Sequence, residues 1–173
     1  MVLGVVVVAL SARMAATIPG IAVPQSAQTL AVLVVGSLLG ARDGVLTMTA
    51  YLIVGGLGVP VFAEGGSGWA HFAGPTAGYL LGFVAAAGGV GELSDRGLLR
   101  RFGPALAFMI CGHGLILTLG WMRLTWTLGA TAAFWQGVAP FVLGGMLKSL
   151  VAAGTVVLAA RWAETEASKS RAS

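Results

Sequence analysis

The sequence predicts an all-α integral membrane protein, a compact bundle of six transmembrane helices with a long outer loop between the third and fourth. Three observations support this fold class. Hydrophobic residues make up 57% and charged residues 9% of the 173-residue chain, and the mean hydropathy is +0.92. Apolar runs recur along the chain at lengths near the about 20 residues that a membrane span needs. The 27 glycines suit close helix packing in lipid.

Breaks between the apolar runs give the bounds of the six helices. They cover residues 2–17, 28–41, 44–56, 75–92, 102–122 and 140–162. The first ends before Pro19, and Pro75 suits the first turn of the fourth. The second and third are short for a full crossing, so we expect tilt, a thinned bilayer or burial by neighbouring helices. Residues 125–137 are expected to form a short interfacial helix, and no signal peptide is recognisable.

The charges set the orientation of this bundle. With six spans, one side carries both termini and seven basic residues: Arg42, Arg96, Arg100, Arg101, Arg161, Lys169 and Arg171. The opposite side carries only Arg123. The positive-inside rule makes the first side cytoplasmic and the loop of residues 55–74 external. We expect a membrane domain over residues 1–163 and a polar, frayed cytoplasmic tail over residues 164–173.

Several function classes are excluded by what the sequence contains. The net charge of +4 is spread thinly between apolar runs, which favours topology signals over nucleic-acid binding. Cys111 is a single thiol, so no disulfide framework or cysteine metal site is expected. His113 and His71 lie in separate segments and make a poor metal site. No catalytic motif is present, and the glycines before Lys148 do not match a phosphate-binding loop. We therefore expect no enzyme, no catalytic residue and no cofactor.

The loop and helix of residues 55–83, GGLGVPVFAEGGSGWAHFAGPTAGYLLGF, are the most informative stretch. Irregular backbone at membrane depth is tolerated only where protein buries it or water reaches it, so the loop is a candidate lid. Phe62 and Trp69 would stack on or cover a ligand there, although Trp69 equally fits an interfacial aromatic belt. Glu64 and His71 are interpreted as solvated loop residues.

The following helix carries glycines at a spacing of four. Gly74, Gly78 and Gly82 would share one helix face. Such a pattern predicts a close approach of a neighbouring helix.

Four side chains are candidates for polar contacts to a ligand. Lys148 lies about two turns inside the last helix, where an ammonium must snorkel, pair or face an aqueous cavity; we favour a counter-charge for an anionic ligand over snorkelling. Gln28 and Thr29 begin the second helix, where they would cap its free amides or bind a ligand. The hydroxyl of Tyr79 would face the outer half of the bundle or bond to backbone.

Three segments strongly resemble motifs of the BioY family, the biotin-specific S components of energy-coupling factor (ECF) transporters. They are VPQSAQTLAVLVVGSLLGARDGVLTMTAYLIVGGLGVPVF, GPTAGYLLGF and PFVLGGMLKSLVAA, and the resemblance covers residues 9–153. It implies a six-helix S component that captures biotin and docks onto a transmembrane T protein with ATPase subunits. It also implies that Lys148, Gln28, Thr29 and Tyr79 belong to the biotin site, with transport driven by ATP hydrolysis in the partner chains.

The chain departs from the family pattern at one place in the site. The family usually has Pro-Gly-Asp where this chain has Leu143-Gly144-Gly145, so another group must replace the acid at Gly145. An S component for another small anionic vitamin therefore stays open, as does a non-catalytic membrane assembly subunit, with a membrane enzyme as a distant third. The sequence is also compatible with a homo-oligomer.

Overall fold

The computed structural model describes residues 1–17 and 19–172 and confirms the all-helical class. Six helices follow in order: α1 (Val2–Arg13), α2 (Gln28–Gly56), α3 (Ala77–Asp95), α4 (Phe102–Leu128), α5 (Ala130–Gly137) and α6 (Ala139–Ala172). Two short strands, β1 (Ala15–Ala16) and β2 (Gln25–Ser26), pair antiparallel with Ala15 opposite Ser26. Two 3-10 turns, Ala63–Gly65 and Trp69–Phe72, lie in the loop before α3.

Helix α2 contains both of the helices expected over residues 28–41 and 44–56, because it folds back on itself at Gly40. Gly40 has φ 81° and ψ 176°, a left-handed conformation that glycine adopts at little cost. The Nε2 of Gln28 donates to the hydroxyl of Tyr51 at 2.6 Å, whereas a straight helix would separate these residues by roughly 35 Å. The two halves of α2 are therefore an antiparallel hairpin.

The turn at Gly40 is stabilised by the end of α3. The Oδ2 of Asp95 accepts the backbone N–H of Ala41 at 2.9 Å, which satisfies an amide at the start of the second half of α2. A Cβ on Gly40 would lie 3.1 Å from the carboxyl carbon of Asp95. Glycine is thus required at this position for its conformation and for the space that the carboxylate fills.

Helix α3 packs closely against α2 on one side and α4 on the other. A Cβ on Gly36 would lie 2.7 Å from the Cα of Ala87, and one on Gly82 would lie 3.0 Å from the Cα of Ile116. Gly78 likewise faces the backbone of α4 at Leu119. The predicted close approach is confirmed at Gly78 and Gly82, but Gly74 precedes α3 and contacts only its own loop.

Other helix bounds differ from the sequence expectation for local reasons. Helix α1 ends at Arg13 because Ala15–Ala16 pair with β2. The short helix begins at Ala130, since Gly129 with φ 78° separates it from the longer α4. Helix α6 continues to Ala172, so the tail expected to fray is helical as far as it is described; Ser173 lies outside the described residues. At the start of this tail, the carboxylate of Glu164 forms an ion pair with the guanidinium of Arg100, with 3.2 Å between Oε1 and Nη1.

The chain is an integral membrane protein by the length and composition of its helices. In the described part of the chain, α2, α3, α4 and α6 each contain an apolar window long enough to span a membrane, and α1 is a shorter apolar helix. Helix α2 is counted as one of these four helices, although it folds back at Gly40 into two antiparallel halves. The number of six spans stays a prediction.

The contact of Gly36 with Ala87 yields a first prediction about stability. Gly36→Ala adds a methyl group against backbone that cannot move away without separating α2 from α3, so we expect a loss of about 2 kcal/mol in the free energy of unfolding. Thermal unfolding in detergent micelles measures this loss. Gly89→Ala is the matched control, because nothing lies within 4 Å of its added Cβ. An equal melting temperature for both variants would contradict the packing described here.

Candidate functional site

A cavity of about 470 Å³ lies where the outer loop, the segment before α2 and the helices α2, α3, α4 and α6 meet. Its volume falls in the range of about 300–1,000 Å³ that small-molecule sites occupy. Most of its wall is aliphatic or aromatic. The polar and charged side chains that line it are those of Ser26, Gln28, Thr29, Glu64, His71, Thr76, Tyr79 and Lys148.

Five of the six side chains predicted from the sequence line this one cavity. They are Lys148, Gln28, Thr29, Tyr79 and Phe62. They come from four parts of the chain that are far apart in sequence, so the fold alone brings them together. That they bind a ligand stays a prediction.

Trp69 does not line this cavity. Its indole packs over Gly56, where an added Cβ would meet the ring at 2.9 Å, and against Phe72 with 5.4 Å between ring centroids. The side chain is 59% exposed. Gly68, which directly precedes Trp69, has φ 90°. The turn at Gly68 directs the indole away from the cavity and toward the exterior of the protein.

Among the described residues that line the cavity, Lys148 is the one lysine or arginine, and it lies beside the segment that leads into α2. The Nζ of Lys148 donates to the carbonyl oxygen of Ser26 at 2.6 Å. In the described part of the chain no carboxylate lies within ion-pair distance of this ammonium. Lys148 is half-buried and lines the cavity, so its charge is available to an anion there.

The N-terminus of α2 adds positive potential at the same place. No side chain caps it at Ala27, and the first amides of a helix have no intrahelical partner. The Oγ of Ser26 accepts the N–H of Gln28 at a long 3.4 Å. Lys148 and this helix end together favour a negatively charged group.

Gln28 connects the cavity wall to the outer loop through a buried tyrosine. Its Nε2 donates to the hydroxyl of Tyr51, which in turn donates to the carbonyl oxygen of Val61 at 2.9 Å. The adjacent Phe62 is buried, lies edge-on to Tyr51 and occupies the space left by the missing side chain of Gly55. This network positions the part of the loop that lines the cavity.

Tyr79 has a structural hydrogen bond as well as a place in the wall. Its hydroxyl donates to the carbonyl oxygen of Gly137 at 2.7 Å, the backbone alternative that the sequence left open. Its ring packs where Gly120 of α4 has no side chain. The hydroxyl oxygen retains the capacity to accept a hydrogen bond.

Glu64 and His71, which the sequence interpretation takes as solvated loop residues, also line the cavity. Glu64 has φ 58° and accepts a hydrogen bond from the hydroxyl of Thr17. The Nδ1 of His71 is 3.1 Å from the carbonyl oxygen of Ser67, and its ring lies 5.3 Å from that of Phe62. Polar residues in a glycine-rich loop gave no sequence signal that would separate the solvent side from the cavity side.

His113 lies behind the cavity wall. Among the described residues no group of three histidine, cysteine, aspartate or glutamate side chains could hold a metal ion. The Nε2 of His113 is 3.1 Å from the Oγ1 of Thr29. The imidazole therefore contacts a side chain of the wall without reaching the cavity itself.

Comparison with known proteins gives the family. The BioY family profile matches residues 1–165. The chain belongs to the BioY family. It is 37% identical over 142 residues to the biotin transporter BioY of Rhizobium etli, covering 77% of this chain and 75% of that one. It is 35% identical over 154 residues to the biotin transporter BioY2 of Lactococcus lactis, covering 86% and 81%.

The fold of this BioY chain also matches a solved structure. The crystal structure at 2.1 Å of the S-component for biotin from an ECF-type ABC transporter superimposes with a TM-score of 0.82 and 20% identity, covering 92% of this chain and 87% of that one. The S-component fold inferred from the motifs is thereby confirmed. The residues of the cavity stay predictions as binding residues.

The bond between Tyr51 and Val61 yields a prediction about the outer loop. Tyr51→Phe removes the hydroxyl that joins Gln28 to the loop, so both partners lose a buried hydrogen bond and the loop loses an anchor. We expect faster amide hydrogen exchange in residues 58–68, measured by mass spectrometry. Tyr79→Phe is the matched control, because its hydroxyl bonds α5 instead. Equal exchange in these loop residues in wild type and Tyr51→Phe would contradict this role of Tyr51.

Proposed function

We propose that this chain captures biotin with high affinity and serves its uptake across the cytoplasmic membrane as the substrate-binding S component of an ECF-type ABC transporter. Membership in the BioY family and the names of its relatives support this function. The observation that carries the proposal at the level of residues is Lys148 inside a mostly apolar cavity: it donates to the carbonyl oxygen of Ser26 just before α2 and has no carboxylate partner among the described residues.

Biotin combines a bicyclic ring, an aliphatic chain and a carboxylate. The aliphatic and aromatic wall suits the first two parts, and a few placed polar groups fix the orientation, as is usual for small-molecule sites. The carboxylate would be bound by Lys148 and by the amide end of α2, with Gln28, Thr29 and Tyr79 contacting other polar atoms of the ligand. Phe62, with the loop around it, would close the outer side of the site.

The partners follow from the same proposal. The ligand would be moved by a transmembrane T protein and ATPase subunits, since this chain carries no nucleotide-binding motif of its own and would be a non-catalytic subunit. In the assembled transporter this chain would dock onto the T protein, either as a single copy or as a homo-oligomer. The exposed apolar side chains of α1 (Val2, Leu3, Val6 and Leu10) would face either lipid or such a partner.

A binding experiment tests the role of Lys148. Lys148→Ala should weaken retention of labelled biotin by purified protein by about 2 to 3 kcal/mol, roughly 30- to 150-fold in Kd, because the carboxylate loses its cation. Lys169→Ala, at the other lysine of the chain, is the matched control, since it pairs with Glu166 in the exposed tail. The difference between Lys148→Ala and wild type should shrink for biotin methyl ester, which has no negative charge.

The same assay decides between biotin and other ligands. Wild-type protein that retains biotin at nanomolar concentration, in preference to a panel of other small anionic vitamins, supports the proposal. Preference for another vitamin would replace biotin as substrate, and no retention of any of them would favour an assembly subunit. Unchanged biotin binding by Lys148→Ala would remove Lys148 from the site.

The proposed topology places both termini in the cytoplasm and the cavity at the outer face, with six spans in a bacterial inner membrane. In a Cys111→Ser background, Ala73→Cys in the outer loop should react with a membrane-impermeant maleimide on intact cells. Ala167→Cys in the exposed end of α6 should react only after the cells are permeabilised. The reverse labelling pattern would invert the orientation. Labelling of both sites on intact cells would place residues 73 and 167 on the same side of the membrane, which requires an even number of spans between them.

A further inference from the structure

A buried hydrogen-bonded cluster lies behind the cavity wall where α2, α4 and α6 meet. His113 of α4 is at its centre and is 5% exposed. Its Nε2 is 3.1 Å from the Oγ1 of Thr29. Its Nδ1 is 2.9 Å from the Oγ of Ser149 and 3.2 Å from the carbonyl oxygen of Met109. Of these residues, Thr29 alone lines the cavity.

Contacts on both nitrogens fix the imidazole ring in one orientation. The hydroxyl of Thr29 can donate or accept, so a neutral imidazole satisfies the contact in either tautomer. Ser149 is completely buried, and breaking any of these hydrogen bonds would leave a polar group unpaired in the protein interior. The cluster therefore holds the hydroxyl of Thr29 at a fixed place in the wall.

The side chain nearest to Gly145 of α6 is that of His113. A Cβ at Gly145 would be 3.7 Å from the Cδ2 of the ring. Glu64 is the one carboxylate among the residues that line the cavity, and it belongs to the outer loop. The polar group next to Gly145 in this chain is an imidazole.

We infer that His113 is a positioning residue of the biotin site, acting through Thr29, and that the hydroxyl held in this way supplies a polar contact to the ligand. The inference rests on the proposed function, because the ureido ring of biotin offers both N–H donors and a carbonyl acceptor to a hydroxyl. A hydroxyl already held by His113 loses less conformational freedom when the ligand binds, which strengthens the contact.

A double-mutant cycle measures whether His113 acts through Thr29. His113→Phe removes both ring nitrogens at similar volume, and Thr29→Val removes the hydroxyl with little change of shape. We expect each single variant to bind labelled biotin about tenfold more weakly than wild type. The double variant should bind no more weakly than Thr29→Val alone, because His113 has no contact with the ligand of its own. If His113→Phe does not give a monodisperse protein, His113→Leu replaces it in the cycle.

A conservative variant separates positioning from general structural support. Thr29→Ser keeps the hydroxyl and should recover most of the biotin affinity that Thr29→Val loses. A merely structural His113 would lower the melting temperature and would weaken biotin binding just as much in the Thr29→Val background.

The results that would overturn this inference differ from those that would overturn the proposed function. Wild-type protein that does not bind biotin would overturn both the function and this inference. Wild-type binding with an additive His113 and Thr29 cycle, or with unchanged affinity in either single variant, would overturn the inference alone. A non-additive cycle together with the recovery of affinity in Thr29→Ser relative to Thr29→Val supports it.

Discussion

The reversal of α2 at Gly40, held by Asp95 and packed through Gly36 against Ala87, is the constraint on which the rest of the structure depends. It returns the chain to the end of the bundle where α2 begins, so the first turn of α2 and the loop after it lie side by side. Because Gly36 has no side chain and Ala87 has only a methyl group, α2 and α3 approach each other closely at this contact, as small residues allow in membranes. The cavity exists because these two segments meet.

The electrostatics of the cavity follow from this arrangement. Membrane proteins rarely place a cation away from water without a carboxylate partner, yet among the described residues Lys148 has a backbone carbonyl as its partner and no carboxylate. The free amides of α2 add to its positive potential instead of offsetting it. A cation and uncapped helix amides beside one cavity are the pattern expected of an anion-binding site and not of a packed core.

The sequence was sufficient for the fold class, and the motifs for the family, because apolar length and local motifs are properties of short segments. It also identified Lys148, Gln28, Thr29, Tyr79 and Phe62, which the fold places around one cavity. Long-range pairings were out of reach: nothing near Tyr51 in sequence indicates that its hydroxyl bonds Gln28, 23 residues earlier. The positions of Trp69 and His71 depend on glycines with positive φ in the loop, which spacing alone does not encode.

The hydrogen bonds from Gln28 through Tyr51 to Val61 have a kinetic consequence. Under the proposed function, a ligand that engages Gln28 would also strengthen the anchor of the loop segment that lines the cavity, so ligand binding and loop ordering would reinforce each other by linkage. Dissociation would then require this loop segment to move against its anchor, and tight binding would reside mainly in a slow dissociation rate. Release on the other side of the membrane would need a step that breaks the hydrogen bonds joining Gln28, Tyr51 and Val61.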